Sequence, residues 1–136
     1  MPNVLKILVV EEDLESHAAL VRLLGHLGYE VRAAGTLREG IAQLQNIPDC
    51  IILDLLLPDG CGADLVAEVR KRKLRTRVVV TSDSANTDAL KLASPLKPDA
   101  FFRKPFEIPQ LLGWLRQCEH ERGASRLPRY HRNAVA

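Results

Sequence analysis

Residues 4–10 form an apolar run, with Val4, Leu5, Ile7, Leu8, Val9 and Val10 interrupted only by Lys6. A short β-rich run of this kind predicts a strand buried on both faces. Residues 50–53 (Cys-Ile-Ile-Leu) and 78–80 (Val-Val-Val) repeat the pattern, and residues 29–34 and 100–102 complete a set of five predicted strands. Between them the period changes. Leu20, Leu23, Leu24 and Leu27 recur at helical spacing, and Gly28 stands where a helix should end. Thr36 with Glu39 three residues on is a capping-box pattern ahead of Ile41 and Leu44, and Pro48 closes that segment. Leu65, Val66 and Val69 mark a third helix. Residues 87–93 offer a brief fourth before Pro95, with Pro98 further limiting it. Pro109 opens a fifth, with Leu111, Leu112, Leu115 and Cys118 along one face. From Glu119 the periodicity lapses, and Gly123, Ser125 and Pro128 predict a frayed end.

Five alternations of strand and helix with doubly buried strands predict an α/β fold, an open doubly wound five-stranded parallel sheet with five helices on both faces. The length of 136 residues suits one domain, and the pattern divides the chain into a domain over 1–121 and a flexible basic tail over 122–136. Lysine and arginine number 19 against 17 acids, and the four arginines after residue 118 carry the excess. A neutral body argues against a domain that neutralises nucleic-acid phosphates directly. The longest charge-free stretch, residues 40–48, is far too short to span a membrane, and the N-terminus lacks the long apolar region of a secretory signal. Three cysteines without C-x-x-C spacing suggest neither a disulfide framework nor a zinc site, so the expected compartment is the cytoplasm.

In open parallel sheets ligands bind beyond the carboxyl ends of the strands. There the sequence places Glu11, Glu12 and Asp13 after the first strand, Asp54 after the third, Thr81 and Ser82 at the end of the fourth, and Lys104 and Pro105 after the fifth. Clustered carboxylates repel one another, and a hard divalent cation such as Mg²⁺ relieves that repulsion. A carboxylate nucleophile, a lysine and a hydroxyl beside such a cluster suit phosphoryl transfer, with Asp54 as nucleophile. Plainer roles compete for each residue. Acids after a strand cap the next helix, a lone lysine is a surface cation, and an aromatic at residue 101 is first a core residue.

Ile7-Leu8-Val9-Val10-Glu11-Glu12, Leu53-Asp54-Leu55-Leu56-Leu57-Pro58-Asp59-Gly60, Val80-Thr81 and Phe101-Phe102-Arg103-Lys104-Pro105-Phe106, in this order, resemble a bacterial two-component response-regulator receiver domain. The resemblance covers residues 4–118. It implies a flavodoxin-like strand order of 2-1-3-4-5. It further implies phosphorylation of Asp54 by a histidine kinase or phosphotransfer protein, and a Mg²⁺ pocket at Glu11, Glu12, Asp54 and the Leu56 carbonyl. Thr81 matches the hydroxyl that moves toward the phosphoryl group, Phe101 the aromatic that follows it, and Lys104 the lysine that contacts the phosphoryl oxygen. Pro105 is expected after a cis peptide. The implied protein is a signalling module rather than an enzyme, its only chemistry being self-phosphorylation and autodephosphorylation. Its partners would be an output domain or downstream protein, with a homodimer also allowed and no membrane.

Three places depart from the family pattern, one of them Pro95 and Pro98 around Leu96-Lys97, where relatives carry a longer fourth helix. Glu12 stands where members usually carry Asp, and its extra methylene displaces the carboxylate by about an ångström, enough to weaken a metal site. Ser82 follows Thr81 where Ala or Gly is usual. The alternative function is a degenerate receiver that binds partners without phosphorylation. A flavodoxin-like nucleotide carrier shares the architecture, but three carboxylates in the first loop would repel its phosphate. A haloacid dehalogenase-type hydrolase needs an aspartate first at the end of the first strand, where Glu11 stands. The basic run 70–77, the four histidines and Cys61 read as solvated or loop residues.

Overall fold

A computed structural model describes residues 4–83 and 87–125. The chain alternates β1 (Lys6–Val10), α1 (Leu14–His26), β2 (Glu30–Ala34), α2 (Leu37–Gln43), β3 (Cys50–Asp54), α3 (Ala63–Lys71), β4 (Arg77–Ser82), α4 (Thr87–Ala93), β5 (Ala100–Arg103) and α5 (Ile108–Ser125). The five strands form one parallel sheet in the order β2-β1-β3-β4-β5. A two-rung antiparallel hairpin, Leu56–Leu57 against Gly60–Cys61, follows β3.

The absence of alternation in the strands has its cause in burial on both faces. Leu8, Val10, Ile51, Leu53, Val78 and Val80 join Leu37 and Leu44, Ala63, Leu65, Val66 and Val69 of α3 and Ala93 of α4 in one apolar cluster. The intervening Ile7, Val9, Cys50, Ile52 and Val79 are equally buried. The α1 helix packs on β1 and β2 with Leu24 fully buried, while Leu27, its C-cap, is exposed, so the leucine stripe ends one turn earlier than its spacing predicts. Gly28 follows with φ 94°, the left-handed conformation expected of a glycine there.

Acids in the loops before β3 and β5 stitch the amino ends of the neighbouring strands β1 and β4. Asp49 accepts from Lys6 N at 2.8 Å, and Asp99 accepts from Val78 N at 2.7 Å. Arg70 donates to the Leu96 and Lys97 carbonyls and pairs with Asp99, while Arg72 pairs with Glu68. Two cations of the basic run thus serve the fold itself. The α4 helix has seven residues and passes into a one-turn 3-10 helix at Ser94–Leu96, as its prolines imply.

The α5 helix is longer than predicted. Leu111, Leu115 and Cys118 are buried, and the helix continues past both Glu119 and the expected boundary at 121 to Ser125. Its final turns are polar and draw support from i,i+4 pairs such as Gln117 to Glu121 at 3.2 Å. Gly123 costs about 1 kcal/mol in a helix interior but falls within the last turn, where little helix depends on it. Arg126, Arg129, His131 and Arg132 of the expected tail lie outside the described residues.

The capping box of α2 forms with one change. Thr36 Oγ1 accepts from Glu39 N at 3.1 Å, but the Glu39 carboxylate returns to Gly35 N rather than to Thr36 N. Thr36→Ala is expected to lower unfolding free energy by about 1 kcal/mol, read from the denaturant midpoint at unchanged m-value.

Candidate functional site

Sheet hydrogen bonding runs one residue beyond the strands and fixes the site backbone. Glu11 N donates to Ala34 O at 3.0 Å, Leu55 N to Thr81 O at 3.2 Å and Lys104 N to Ser82 O at 2.8 Å. These ladders carry Glu11, Asp54 and Lys104 to the carboxyl edge from three different strands. The Lys104 ammonium stands between the two acids, 2.8 Å from Glu11 Oε2 and 3.0 Å from Asp54 Oδ2. The other Asp54 oxygen accepts from Leu56 N at 3.0 Å. The Lys104–Pro105 peptide is cis.

Glu11, Glu12, Asp13, Asp54, Leu56, Asp83 and Lys104 line an open cup, five carboxylates against one ammonium. Burial pushes the Glu11 carboxyl above its ordinary range; the Lys104 hydrogen bond opposes this and the Asp54 charge adds to it. Burial alone would lower the Lys104 pKa, but its hydrogen bonds to Glu11 and Asp54 outweigh that effect and raise it.

The residues expected in the site divide into two groups. Glu11, Asp54 and Lys104 are brought into direct contact, with Glu12 and Leu56 on the lip. Asp13 is used otherwise: its carboxylate accepts from Glu15 N, Ser16 N and Ser16 Oγ and caps α1. Thr81 pairs with Asp54 in the sheet register, yet its hydroxyl is buried and donates to Leu53 O at 3.2 Å, away from the cup. Phe101 is not a core residue; it is 40% exposed on β5, while its neighbour Phe102 is buried.

Four residues escaped the sequence reading. Asp83 joins the cup two residues past Thr81. His17, read as a surface residue, is half-buried with Nδ1 3.0 Å from Glu11 O, tying the first turns of α1 to the end of β1. Asp59 accepts from Leu37 N at 2.7 Å and Arg38 N at 2.9 Å. Those hydrogen bonds, from Arg38 and then Leu37, hold its carboxyl below the ordinary value of 3.8. A depressed pKa makes this contact stabilising above the unfolded-state value, and it is lost only as pH falls through the lower folded one. Gly62 N donates to Leu55 O at 2.8 Å, and a Cβ on Gly62 would stand 2.6 Å from Asp54 O. Its φ of −58° suits any residue, so space rather than conformation requires glycine there.

The donors of the cup are all oxygens, which suits Mg²⁺. Among the described residues no three acids, histidines or cysteines converge closely enough to cage a metal ion. Mg²⁺ does not require such a cage, since it usually keeps several waters and binds through one or two carboxylates. Glu11 and Asp54 supply carboxylates of that chemistry, and Leu56 also lines the cup.

A parallel sheet of this order, with an acid-lined edge and a lysine bridging two carboxylates, defines a receiver-type α/β domain. The family described as response regulator receiver domain matches residues 7–116, and the chain belongs to it. It is 31% identical over 123 residues to the KDP operon transcriptional regulatory protein KdpE of Escherichia coli, covering 90% of this chain and 54% of that one. It is 31% identical over 109 residues to the DNA-binding transcriptional regulator NtrC of Azospirillum brasilense, covering 78% of this chain and 22% of that protein. The non-phosphorylated HemR receiver domain of Leptospira biflexa superposes with a TM-score of 0.71 at 31% identity, covering 84% of this chain and 93% of that domain. The chain spans about half the length of the first of these regulators and under a quarter of the second. It is thus a receiver domain of the two-component response regulators. No helix among the described residues is long and apolar enough to cross a membrane.

Gly62→Ala is expected to cost about 1–3 kcal/mol, because the contacting atom is backbone and the neighbouring leucine is fully packed. Denaturant unfolding measures the loss, and a neutral result would show that the backbone after Asp54 yields freely.

Proposed function

We propose that this domain is a phosphoacceptor, taking a phosphoryl group onto Asp54 from a histidine kinase or phosphotransfer protein in a Mg²⁺-dependent reaction. The observation that carries the reading is the Lys104 ammonium held 3.0 Å from Asp54 Oδ2 and 2.8 Å from Glu11 Oε2 in an open acidic cup. In the transfer an Asp54 carboxylate oxygen bonds to phosphorus as the phosphorus–nitrogen bond of the phosphohistidine breaks, and the electron pair leaves with the imidazole. Bound Mg²⁺ would neutralise phosphoryl charge, held by Glu11, Asp54 and the Leu56 carbonyl, with Glu12 beside them.

The chain's own residues do the positioning. Leu56 N–H fixes one Asp54 oxygen, and the sheet ladders hold the backbones that carry the acid and the lysine. Lys104 offers a fixed positive charge where the equatorial oxygens gather negative charge. Thr81, now donating to Leu53 O, turns its hydroxyl to the phosphoryl oxygens, and Phe101 moves inward from its exposed place. The face bearing Phe101 then changes its affinity for an output domain or downstream protein.

Incubation with acetyl phosphate and Mg²⁺ is expected to add one phosphoryl mass to the wild-type protein and none to Asp54→Asn, read by intact mass. Equal labelling of both, or of neither, would favour the phosphorylation-independent interaction module instead. Glu12→Asp is expected to tighten Mg²⁺, because the shorter side chain matches the family pattern. Calorimetric titration checks this, and an unchanged affinity would show that residue 12 takes no part in holding the ion.

A further inference from the structure

The hairpin that follows Asp54 is closed internally and anchored externally. Internally, Leu56 pairs with Cys61, Leu57 with Gly60, and Gly62 N donates to Leu55 O. Its turn sits against the amino end of α2. There both Asp59 oxygens are engaged, one by Leu37 N and the other by Arg38 N, across 22 and 21 residues of sequence. Beside them, Gly60 approaches Leu37 so closely that a Cβ would lie 2.9 Å from Leu37 Cδ2. Leu57 of the same hairpin is buried in the core cluster with Leu37.

A continuous line of contacts therefore runs from α2 to the acid: the α2 amides to Asp59, Asp59 through the hairpin to Leu56, and Leu56 N to Asp54 Oδ1. The bidentate attachment matters because a carboxylate accepting two N–H groups resists rotation as a single bond does not. The α2 terminus itself has another cap, since Thr36 takes the Glu39 amide independently. Asp59 is thus the one of the two caps that belongs to the Asp54 loop.

We propose that Asp59 is a positioning residue for Asp54, clamping the hairpin to α2 so that the Leu56 N–H holds the acceptor carboxylate and the Leu56 carbonyl stays at the rim of the cup. Its role in phosphorylation rests on Asp54 being the acceptor; its role in holding Leu56 does not. A helix cap that only stabilised α2 would be equivalent to Thr36, and this is what separates the two accounts.

The test compares Asp59→Ala with Thr36→Ala in the full chain, at matched global stability, by amide hydrogen exchange and by acetyl phosphate labelling over a Mg²⁺ titration. Asp59→Ala is expected to speed exchange at the Leu56 amide about tenfold or more through local opening, and Thr36→Ala to leave it within about twofold. The half-saturating Mg²⁺ for labelling should rise in the first variant only. Should Asp59→Ala not fold, Asp59→Asn, which keeps one carbonyl acceptor, should give an intermediate exchange rate. Equal exchange at Leu56 in the Asp59 and Thr36 variants overturns the proposal. If the wild type takes no phosphoryl group at all, the acceptor reading falls while the exchange comparison still decides what Asp59 does.

Discussion

Two carboxylates cannot face each other at the edge of a sheet without something between them, and here that something is the Lys104 ammonium. It is supplied by the strand furthest from β1, so the contact exists only if β1, β3, β4 and β5 lie in the observed order and register. The side chains of Glu11 and Asp54 are 13% and 14% exposed, and the lysine is 31% exposed. Charges so placed are screened less than surface pairs, and removing the lysine would leave both acids uncompensated. The burial that raises the Glu11 pKa also strengthens the pull on any cation entering the cup. Glu11 and Asp54 share the one lysine, so the pair keeps an attraction for positive charge that the lysine only partly satisfies.

The acids of this edge are divided between architecture and chemistry. Asp13 caps α1 and Asp59 is bound to α2, while Glu11 and Asp54 keep their oxygens on the cup. Each capping carboxylate accepts from two backbone N–H groups, so neither is readily withdrawn to serve a metal. Among the acids after β1, that leaves Glu11, already bonded to Lys104, and the exposed Glu12 to face an ion. Substitution of Asp by Glu at position 12 therefore changes the reach of the one acid there that is free of a structural task among the described residues.

Most of the fold was legible because doubly buried strands leave a strong imprint: runs such as Ile51-Ile52-Leu53 and Val78-Val79-Val80 admit few other placements. The meeting of Glu11, Asp54 and Lys104 was legible because strand ends in such a sheet share one edge. Asp59, Gly62 and His17 were not, for a common reason. Each acts through a contact with backbone from another segment, and no side-chain pattern in the sequence records where a carbonyl or amide will be. Phe101 failed differently, since alternate residues of a short strand differ in burial, and an Ala-Phe-Phe run does not say which phenylalanine faces inward. The end of α5 was misjudged because its last turns are held by polar i,i+4 pairs, which leave no apolar stripe.

The placement of Thr81 and Phe101 constrains how such a domain could signal on the proposed reading. The Thr81 hydroxyl bond to Leu53 O contributes about 1 kcal/mol net, whereas a bond to a charged phosphoryl oxygen contributes about 1.5–3 kcal/mol. The difference is at most about 2 kcal/mol, while inverting a two-state population from 1:99 to 99:1 takes about 5.5 kcal/mol. Thr81 alone is therefore too weak a lever. The remainder has to come from burying Phe101, which now keeps 40% of its surface in water, and from the redistribution of Lys104 among Glu11, Asp54 and the new anion. Full burial of a phenylalanine is worth about 1.5–3 kcal/mol relative to exposure, so the half-exposed ring supplies only part of that. A switch built from these residues is graded by Lys104: the more tightly the lysine stays with Glu11 after the anion forms, the smaller the bias toward the second state.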